Sequence, residues 1–243
     1  VTVHAHPGFD ERAQLPGPYG PLVVGAVPLP DAALVAADVA GLFPGQAAQT
    51  KGRPQPRLDR IHHPPRALAF EDGESFVAEL RQATAVWFNG GRQWNIVDSY
   101  SGTRTYQGFH AVLARGGVIG GSSAGATIQG AYLVRGDTQG PQIVMTAEEQ
   151  HQRGFEFLRN SAIDQHINAR NRWDDLIPVI QQRPDLLGIG LSEGTAIVVT
   201  GDTFEVMGKW MVAVHDNTRA YQPWEKPYFV LSPGDSYDMK ARR

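Results

Sequence analysis

Ser123 is the residue whose setting most suggests chemistry, and it lies in the segment Val-Ile-Gly-Gly-Ser-Ser-Ala-Gly-Ala at 118–126. The β-branched start predicts a strand, and the small residues after it predict a tight turn into a helix over 124–130. Gly121 and Gly125 are expected to give the turn its unusual dihedrals and to let other groups approach closely. A serine exposed at such a turn can attack a carbonyl carbon. The same pattern also arises by chance in a chain with 27 glycines.

A serine nucleophile needs a base, and His166 stands out among the eight histidines. It closes a predicted strand over 161–166 and follows an acid and an amide. Arg170 and Arg172 come next, at positions where guanidinium groups can hold a substrate carboxylate by bidentate hydrogen bonds. The alternative for these residues is a capped helix start with solvated charges.

Glu193 is the candidate for the third group, which orients the base. It stands between two apolar strand segments, so the acid is expected at a sheet end and partly buried. A buried carboxylate needs a partner, and an imidazole that becomes charged during catalysis is a suitable one.

The remaining histidines do not predict a metal site. Four occur as close pairs toward the start of the chain: His4, His6, His62 and His63. None of these pairs has nearby carboxylates or cysteines at ligand spacing. His110 and His151 are expected on the surface, and His215, at a strand end, is expected to be a structural histidine.

The amino-acid composition argues against several classes of protein. Of the 243 residues, 42% are apolar and 19% are charged, and the net charge of −3 gives no basic surface for nucleic acid. No apolar run approaches the roughly 18–20 residues of a membrane span. The chain has no cysteine, which excludes thiol nucleophiles and disulfides. The compartment stays open, with a periplasmic or extracellular location slightly favoured over the cytoplasm.

The chain is predicted to divide into an irregular N-terminal arm over 1–20 and a single α/β hydrolytic domain over 21–243. A strand is expected at 22–27, followed by a helix over 32–43 and a weak strand at 58–62 within a proline-rich stretch. Further helices are expected over 74–82, 93–100, 105–114 and 171–182, the last interrupted at Pro178. Further strands are expected at 85–88, 161–166, 187–191, 196–200, 203–207, 211–215 and 229–231, and a short one at Val118 and Ile119 that ends in two glycines. Alternating strands and helices followed by an antiparallel meander predict a three-layer α/β/α sandwich around a mostly parallel sheet.

With these elements placed, the chain resembles the cyanophycinase and peptidase E family of serine hydrolases, peptidase family S51. Four segments carry the resemblance, in the family's order and over roughly half of the chain. They are Phe88-Asn89-Gly90-Gly91-Arg92-Gln93, Gly120-Gly121-Ser122-Ser123-Ala124-Gly125-Ala126, Ile163-Asp164-Gln165-His166 with Arg170 and Arg172, and Gly188-Ile189-Gly190-Leu191-Ser192-Glu193.

The resemblance implies a fold like that of class I glutamine amidotransferases, which is flavodoxin-like. It also implies Ser123 as nucleophile, His166 as base and Glu193 as the orienting acid. An oxyanion hole would be formed by the Ala124 N–H and the backbone of Gly90 and Gly91.

The pocket for a peptide or isopeptide substrate would be lined by a further set of residues: Gln93, Asp164, Gln165, Arg170 and Arg172. No cofactor is required by the resemblance, and a homodimer is expected. The reaction expected is hydrolysis of amide or peptide bonds through an acyl-enzyme. Arg170 and Arg172 favour a preference for aspartyl-containing or isopeptide substrates.

The chain departs from the family pattern at three places. Asp175 occupies a position where cyanophycinases carry another arginine, which should weaken capture of a substrate carboxylate and could favour a basic or neutral group. Arg92 replaces a common acid. The usual glycine-rich first strand is reduced to Val24-Gly25-Ala26.

Two other functions are consistent with the residues. An α/β-hydrolase-type esterase would share the serine turn, but that fold orders its triad serine, acid, histidine and would have to use Asp202 and His215. A noncatalytic binding protein on the same scaffold is the other alternative.

Overall fold

Strands and helices alternate along the computed structural model of the chain, which describes residues 2–4, 22–26 and 74–243. The first six strands are β1 (Thr2–His4), β2 (Leu22–Ala26), β3 (Ala85–Phe88), β4 (Val118–Ser122), β5 (Gly130–Tyr132) and β6 (Leu158–Gln165). The others are β7 (Leu187–Leu191), β8 (Thr195–Thr200), β9 (Thr203–Gly208), β10 (Val212–Asp216), β11 (Phe229–Leu231) and β12 (Ser236–Asp238). The helices are α1 (Glu74–Gln82), α2 (Gln93–Tyr100), α3 (Arg104–Ala114), α4 (Ala124–Thr127) and α5 (Ile177–Gln182), with a 3₁₀ turn at Glu149–His151.

The described strands form two sheets. One has the spatial order β1-β3-β4-β2-β8-β9-β12 and the other the order β11-β10-β7-β6-β5. Three neighbouring strands run parallel in each sheet, β3-β4-β2 in the first and β7-β6-β5 in the second, where β5 is the edge strand. The strands toward the C-terminus pair antiparallel. This arrangement confirms the predicted mixed α/β class, with parallel central strands and antiparallel C-terminal ones.

Of the parallel strands, β3, β4 and β7 are apolar or small along their whole length because both of their faces are covered. Every residue of β7 is buried, and so are the last four of β4. Phe88, at the end of β3, packs edge-on against Phe109 of α3 with ring centroids 5.0 Å apart. The buried Phe88 ring fixes the strand end from which the Gly90-Gly91 turn departs.

Some element boundaries differ from those predicted. The helix after Ser123 ends at Thr127, because the chain turns there into β5, which the sequence pattern missed along with β12. The helix expected over 171–182 begins only at Ile177. Pro178 lies in its first turn, the one place where a helix tolerates the missing proline N–H.

Part of the predicted N-terminal arm is a strand. Thr2–His4 form β1, which pairs antiparallel with β3, so the prediction of an irregular arm is wrong for these three residues. The helix expected over 32–43 and the weak strand at 58–62 lie outside the described residues, as do the side chains of His4, His6, His62 and His63. The domain boundary near residue 20 stays a prediction.

Within the part of the chain that the structure describes, no helix is both long and apolar enough to cross a membrane. Over the same residues, no group of three or more His, Cys, Asp or Glu side chains is arranged to hold a metal ion.

Candidate functional site

Four segments that carry the predicted site residues all follow the carboxyl ends of strands. Gly90 follows β3, Ser123 follows β4, His166 follows β6 and Glu193 follows β7. In α/β sheets the crevice outside these strand ends is where ligands bind. The topology therefore gathers residues that are as far as 103 positions apart in the chain.

The turn at Ser123 is strained at the serine itself. Ser123 has φ 55° and ψ −119°, a conformation that side-chain-bearing residues rarely adopt. Gly121 and Gly125 do not have positive φ, so the expectation that they supply the unusual dihedrals is wrong. Their expected role in close approach is confirmed, since a Cβ on Gly125 would lie 2.0 Å from the carbonyl oxygen of Phe88. Because the glycines have no side chains, β3 and β4 can pack closely against the turn, and the strained dihedral angles occur at Ser123.

Ser123, His166 and Glu193 lie in a line of short polar contacts. Ser123 Oγ is 2.9 Å from Nε2 of His166, a hydrogen-bond distance. On the other side of the ring, Nδ1 is 2.8 Å from Oε1 of Glu193. That second contact is close but not aligned as a hydrogen bond, since Nδ1 has no partner of correct geometry among the described residues. The geometry places a hydroxyl, an imidazole and a carboxylate in the order required for nucleophilic catalysis.

The surroundings of His166 favour the neutral form of its imidazole. Burial lowers the pKa of His166 below its ordinary value of 6.5, and the nearby charges of Arg170 and Arg172 lower it further, while Glu193 acts in the opposite direction. An imidazole that is neutral near pH 7 can accept a proton from a hydroxyl.

Asn168 joins the histidine and glutamate loops, a role that the sequence analysis missed. Its Oδ1 accepts hydrogen bonds from the N–H groups of Glu193 and Ala169, both at 2.8 Å. The N–H of Ile167 also bonds to the carbonyl of Leu191. Asparagine commonly bonds to backbone in turns, but nothing in its local sequence indicates a partner 25 residues away.

The residues proposed for an oxyanion hole lie beside the serine. A Cβ on Gly90 would be 3.1 Å from Ser123 Cβ, so the backbone of Gly90 passes directly next to the nucleophile turn. Ala124 is the first residue of α4, where helix N–H groups have no partner within the helix.

Asp164 is paired with a buried arginine beneath the other predicted pocket residues, 4.0 Å from Arg172. It is fully buried and receives two hydrogen bonds from Arg135, from Nε and Nη2, each of 2.9 Å. Arg135 also pairs with Asp175 and donates from Nη1 to the carbonyl of Pro141 at 2.6 Å. Asp175 is therefore compensated by a cation, and its carboxylate is not the free anion that the sequence pattern suggested.

Arg135 is a second residue that the sequence analysis missed. It has a positive φ of 59° and is 1% exposed. It follows β5, the strand that was not predicted, and its partners lie 29 and 40 positions further along the chain. The one local signal is an arginine directly after the apolar residues of 131–134.

The other predicted pocket residues occupy different depths. Arg170 is exposed, while the Arg172 side chain is 11% exposed and lies 4.0 Å from Asp164. Gln93 and Gln165 are buried, and Oε1 of Gln165 has no hydrogen-bond partner among the described residues. Arg92 donates from Nη2 to the carbonyl of Asp137 at 3.1 Å, so it ties the Gly90-Gly91 turn to the segment after β5.

The expectation for His151 is wrong. Its side chain is 4% exposed and is enclosed by Asp98 and Glu148. His110 is half-buried against Tyr106 and Phe157. The partial burial of His110 reflects its packing against Phe157, a ring from a distant segment, which a helical pattern does not report.

His215 and Asp202, the residues needed for the esterase alternative, do not lie at the strand ends that carry Ser123, His166 and Glu193. His215 pairs with Gly188 near the start of β7, and Asp202 follows the end of β8. His215 is buried in β10 against Tyr228, and burial lowers its pKa to about 4. Asp202 is exposed in the turn between β8 and β9.

Sequence comparisons place the chain among known peptidases. The model of peptidase family S51 matches residues 65–207. A cyanophycinase of Synechococcus elongatus is 29% identical over 189 residues, which cover 70% of this chain and 57% of the relative. A cyanophycinase of Geminocystis herdmanii is 30% identical over 179 residues, covering 68% of this chain and 65% of the relative. The chain thus spans less than two thirds of these relatives' length.

Solved structures show the same fold. A peptidase from an acI-B1 Actinobacterium superposes with a TM-score of 0.64 at 20% identity, covering 90% of this chain and 97% of that one. A putative peptidase E protein from Listeria monocytogenes gives a TM-score of 0.52 at 14% identity, covering 79% and 100%.

Proposed function

Because the chain belongs to peptidase family S51, we propose that it is a serine peptidase with Ser123 as nucleophile, His166 as base and Glu193 as the orienting acid. The observation that carries the proposal is the contact of 2.9 Å between Ser123 Oγ and His166 Nε2 at a strained strand-to-helix turn. The lowered pKa of His166 supports the same assignment, since it leaves Nε2 free to accept a proton.

The proposed reaction has two halves. His166 Nε2 takes the Ser123 proton as Oγ bonds to the substrate carbonyl carbon, and the N–H of Ala124 with the Gly90-Gly91 backbone binds the oxyanion. Glu193 stabilises the imidazolium that results. The imidazolium then gives its proton to the leaving amine as the C–N bond breaks, which leaves an acyl-serine. Water, deprotonated by His166, attacks this ester, and Ser123 recovers its proton.

We propose that the substrate carries a carboxylate near the scissile bond. Arg170 is exposed, makes no ion pair with a carboxylate in the described part of the chain, and is close enough to His166 to lower its pKa. Arg172 lies deeper, with Nη1 3.5 Å from the carbonyl oxygen of Gln165. A guanidinium pair at this position can hold an aspartyl carboxylate while the adjacent amide reaches Ser123.

Asp175 does not reverse this preference in the proposed site. Its charge is compensated by Arg135, and Arg135 with Arg172 balances Asp164 and Asp175. Arg170 then remains as the exposed cation of the pocket. Among the described residues, no uncompensated carboxylate other than Glu193 lies there to select a basic side chain. We therefore expect aspartyl peptides to be cleaved better than arginine-rich ones.

The test combines labelling with hydrolysis of a substrate library. A fluorophosphonate probe is expected to label wild-type protein, and labelling is lost in Ser123→Ala and in His166→Ala. A set of dipeptides and isopeptides with acidic, neutral or basic residues then reports substrate class from kcat/KM. At about pH 8, above the pH range in which His166 titrates, Arg170→Gln should reduce kcat/KM for acidic substrates only. Arg153→Gln, which is exposed, is the matched control.

The noncatalytic alternative makes the opposite prediction. A folded protein that neither reacts with the probe nor hydrolyses any member of the library would be a binding module on this scaffold. Hydrolysis that survives Ser123→Ala would overturn the assignment of the nucleophile.

A further inference from the structure

A second concave site lies in the C-terminal part of the chain. It is a cleft of about 410 Å³ between the segment after β10 and the segments around β11 and β12. Its lining residues are Thr218, Arg219, Phe229, Leu231, Ser236, Tyr237, Arg242 and Arg243. None of them belongs to the candidate active site.

The cleft lies away from Ser123. In the first sheet, β12 lines the cleft and Ser123 follows β4, and these two strands are separated by β2, β8 and β9. Four strand spacings of about 4.8 Å place β12 roughly 19 Å from β4. Arg242, in the cleft wall, also donates to the carbonyl of Asp185, just before β7, whereas Glu193 follows the other end of β7. A small ligand in the cleft therefore does not reach Ser123.

The lining is strongly positive. It contains three arginines and no acidic side chain. Arg242 is compensated by buried Asp216, at 3.3 Å, but Arg219 and Arg243 make no ion pair with any carboxylate that the structure describes. Two cations are thus available to a ligand.

Two of the arginines are held in place before any ligand binds. The Arg219 guanidinium lies 4.7 Å from the ring centre of Phe229 and 5.8 Å from that of Tyr221. Arg242 is fixed by Asp216, which in turn accepts a hydrogen bond of 2.8 Å from the hydroxyl of Tyr237. Preorganised guanidinium groups lose less freedom when they bind an anion.

The remaining wall is apolar. Phe229 and Leu231 contribute side chains that are half-buried and face the same cleft. A volume of about 410 Å³ falls within the range of small-molecule sites and exceeds what a bare inorganic anion fills.

We propose that this cleft binds a small organic anion, a carboxylate or phosphate carried by a flat apolar group. The anionic group would lie between Arg219 and Arg243, with two N–H donors of a guanidinium on its oxygens. The apolar group would pack on Phe229 and Leu231. The site is separate from the proposed peptidase chemistry and does not depend on it.

Isothermal titration calorimetry on the full chain at low ionic strength tests this site. The probes are phenyl phosphate and benzoate, which separate phosphate from carboxylate ligands, with benzyl alcohol as the uncharged analogue and inorganic phosphate as the anion alone. At least one of the two aromatic anions should bind with a Kd of about 1 mM or tighter. Binding of benzyl alcohol and inorganic phosphate should be at least about fivefold weaker, because each probe lacks one of the two recognised groups.

Matched arginine variants locate the binding. Arg219→Gln should weaken the aromatic anion at least about fivefold, whereas Arg170→Gln, which removes the exposed cation of the other site, should leave the affinity unchanged. Thermal unfolding checks that each variant is folded. Phe229→Leu should weaken phenyl phosphate more than inorganic phosphate.

Three results would overturn the site. The first is that neither aromatic anion binds at 10 mM, on the order of ten times the expected Kd. The second is that the affinity is lost in Arg170→Gln but kept in Arg219→Gln. The third is that benzyl alcohol binds with the same affinity as the anions.

Discussion

His166 and His151 are both buried, with side chains 9% and 4% exposed, and both have polar groups near their two ring nitrogens. His166 lies between a hydroxyl and one carboxylate, and Arg170 is close by. His151 lies between two carboxylates, with Nδ1 2.7 Å from Glu148 and Nε2 2.8 Å from Asp98.

The difference in charge around the two rings sets their protonation. Burial lowers the pKa of both imidazoles, but at His151 the bonds to Glu148 and Asp98 outweigh burial and raise the pKa above its ordinary value. At His166 burial and the arginines prevail and the pKa is lowered. A neutral imidazole can act as a base, as proposed for His166, whereas the two carboxylates at His151 favour its protonated form. Burial alone therefore does not distinguish a catalytic histidine from a structural one.

The largest expected effect is on activity. His166→Gln should lower kcat/KM for a cleaved dipeptide by at least about 1,000-fold, because the base is lost. His151→Gln should change it by less than roughly threefold, because that ring touches neither the serine nor the proposed pocket. Equal losses of kcat/KM in the two variants, measured on folded protein, would contradict the different roles proposed for the two histidines.

The second largest expected effect is a difference in kcat between variants of the acids that face the two rings. Glu193→Gln should lower kcat by roughly 100-fold, since the imidazolium formed in the reaction loses its carboxylate. Glu148→Gln is the matched control and should leave kcat within about threefold of wild type. Steady-state kinetics on both variants measures the contrast, and an unaffected Glu193→Gln enzyme would remove Glu193 from the mechanism.

The free energy of unfolding should depend on His151, although activity should not. His151→Gln is expected to lower the free energy of unfolding by about 1–2 kcal/mol at pH 6, because two carboxylates lose a charged donor. The folded pKa of His151 is above the unfolded value of 6.5, so its contribution is full below that value and is lost as pH rises through the folded pKa. Urea unfolding at pH 6 and pH 9 should show the difference between variant and wild type shrinking at the higher pH.

His166 provides the control for the direction of this pH dependence of stability. Its folded pKa lies below the unfolded value, so its contribution is present above pH 6.5 and is lost as pH falls through the folded pKa. The stability of His166→Gln relative to wild type should therefore improve toward acid pH. The same slope in both variants would mean that the two environments do not differ as the contacts indicate.

The smallest effect concerns the pH profile of activity. Arg170 lowers the pKa of His166, so Arg170→Gln should move the acidic limb of kcat/KM to higher pH. Arg153→Gln, whose side chain is 81% exposed and pairs with Glu156, should leave the limb unchanged. A limb that moves to lower pH would contradict the charge effect assigned to Arg170.

Local sequence determined most of the fold and the residues at its strand ends. The spacing of apolar residues predicted α1, α2, β3 and β7 with their observed bounds. The turn pattern at Ser123 and the acid after β7 are also local signals. Each depends on neighbours within a few positions, because strand alternation, helix periodicity and turn chemistry are short-range properties.

Tertiary structure alone decided which charges compensate each other. Arg135 reaches Asp164 and Asp175, Asn168 reaches Glu193, and His151 reaches Asp98, over 25 to 53 positions. Such pairs form because distant segments meet at strand ends and bury their polar groups, which must then find partners. The sequence by itself named the serine, the histidine and the glutamate. Only the packing of the chain determined which imidazole stays neutral, and that Asp175 faces a cation.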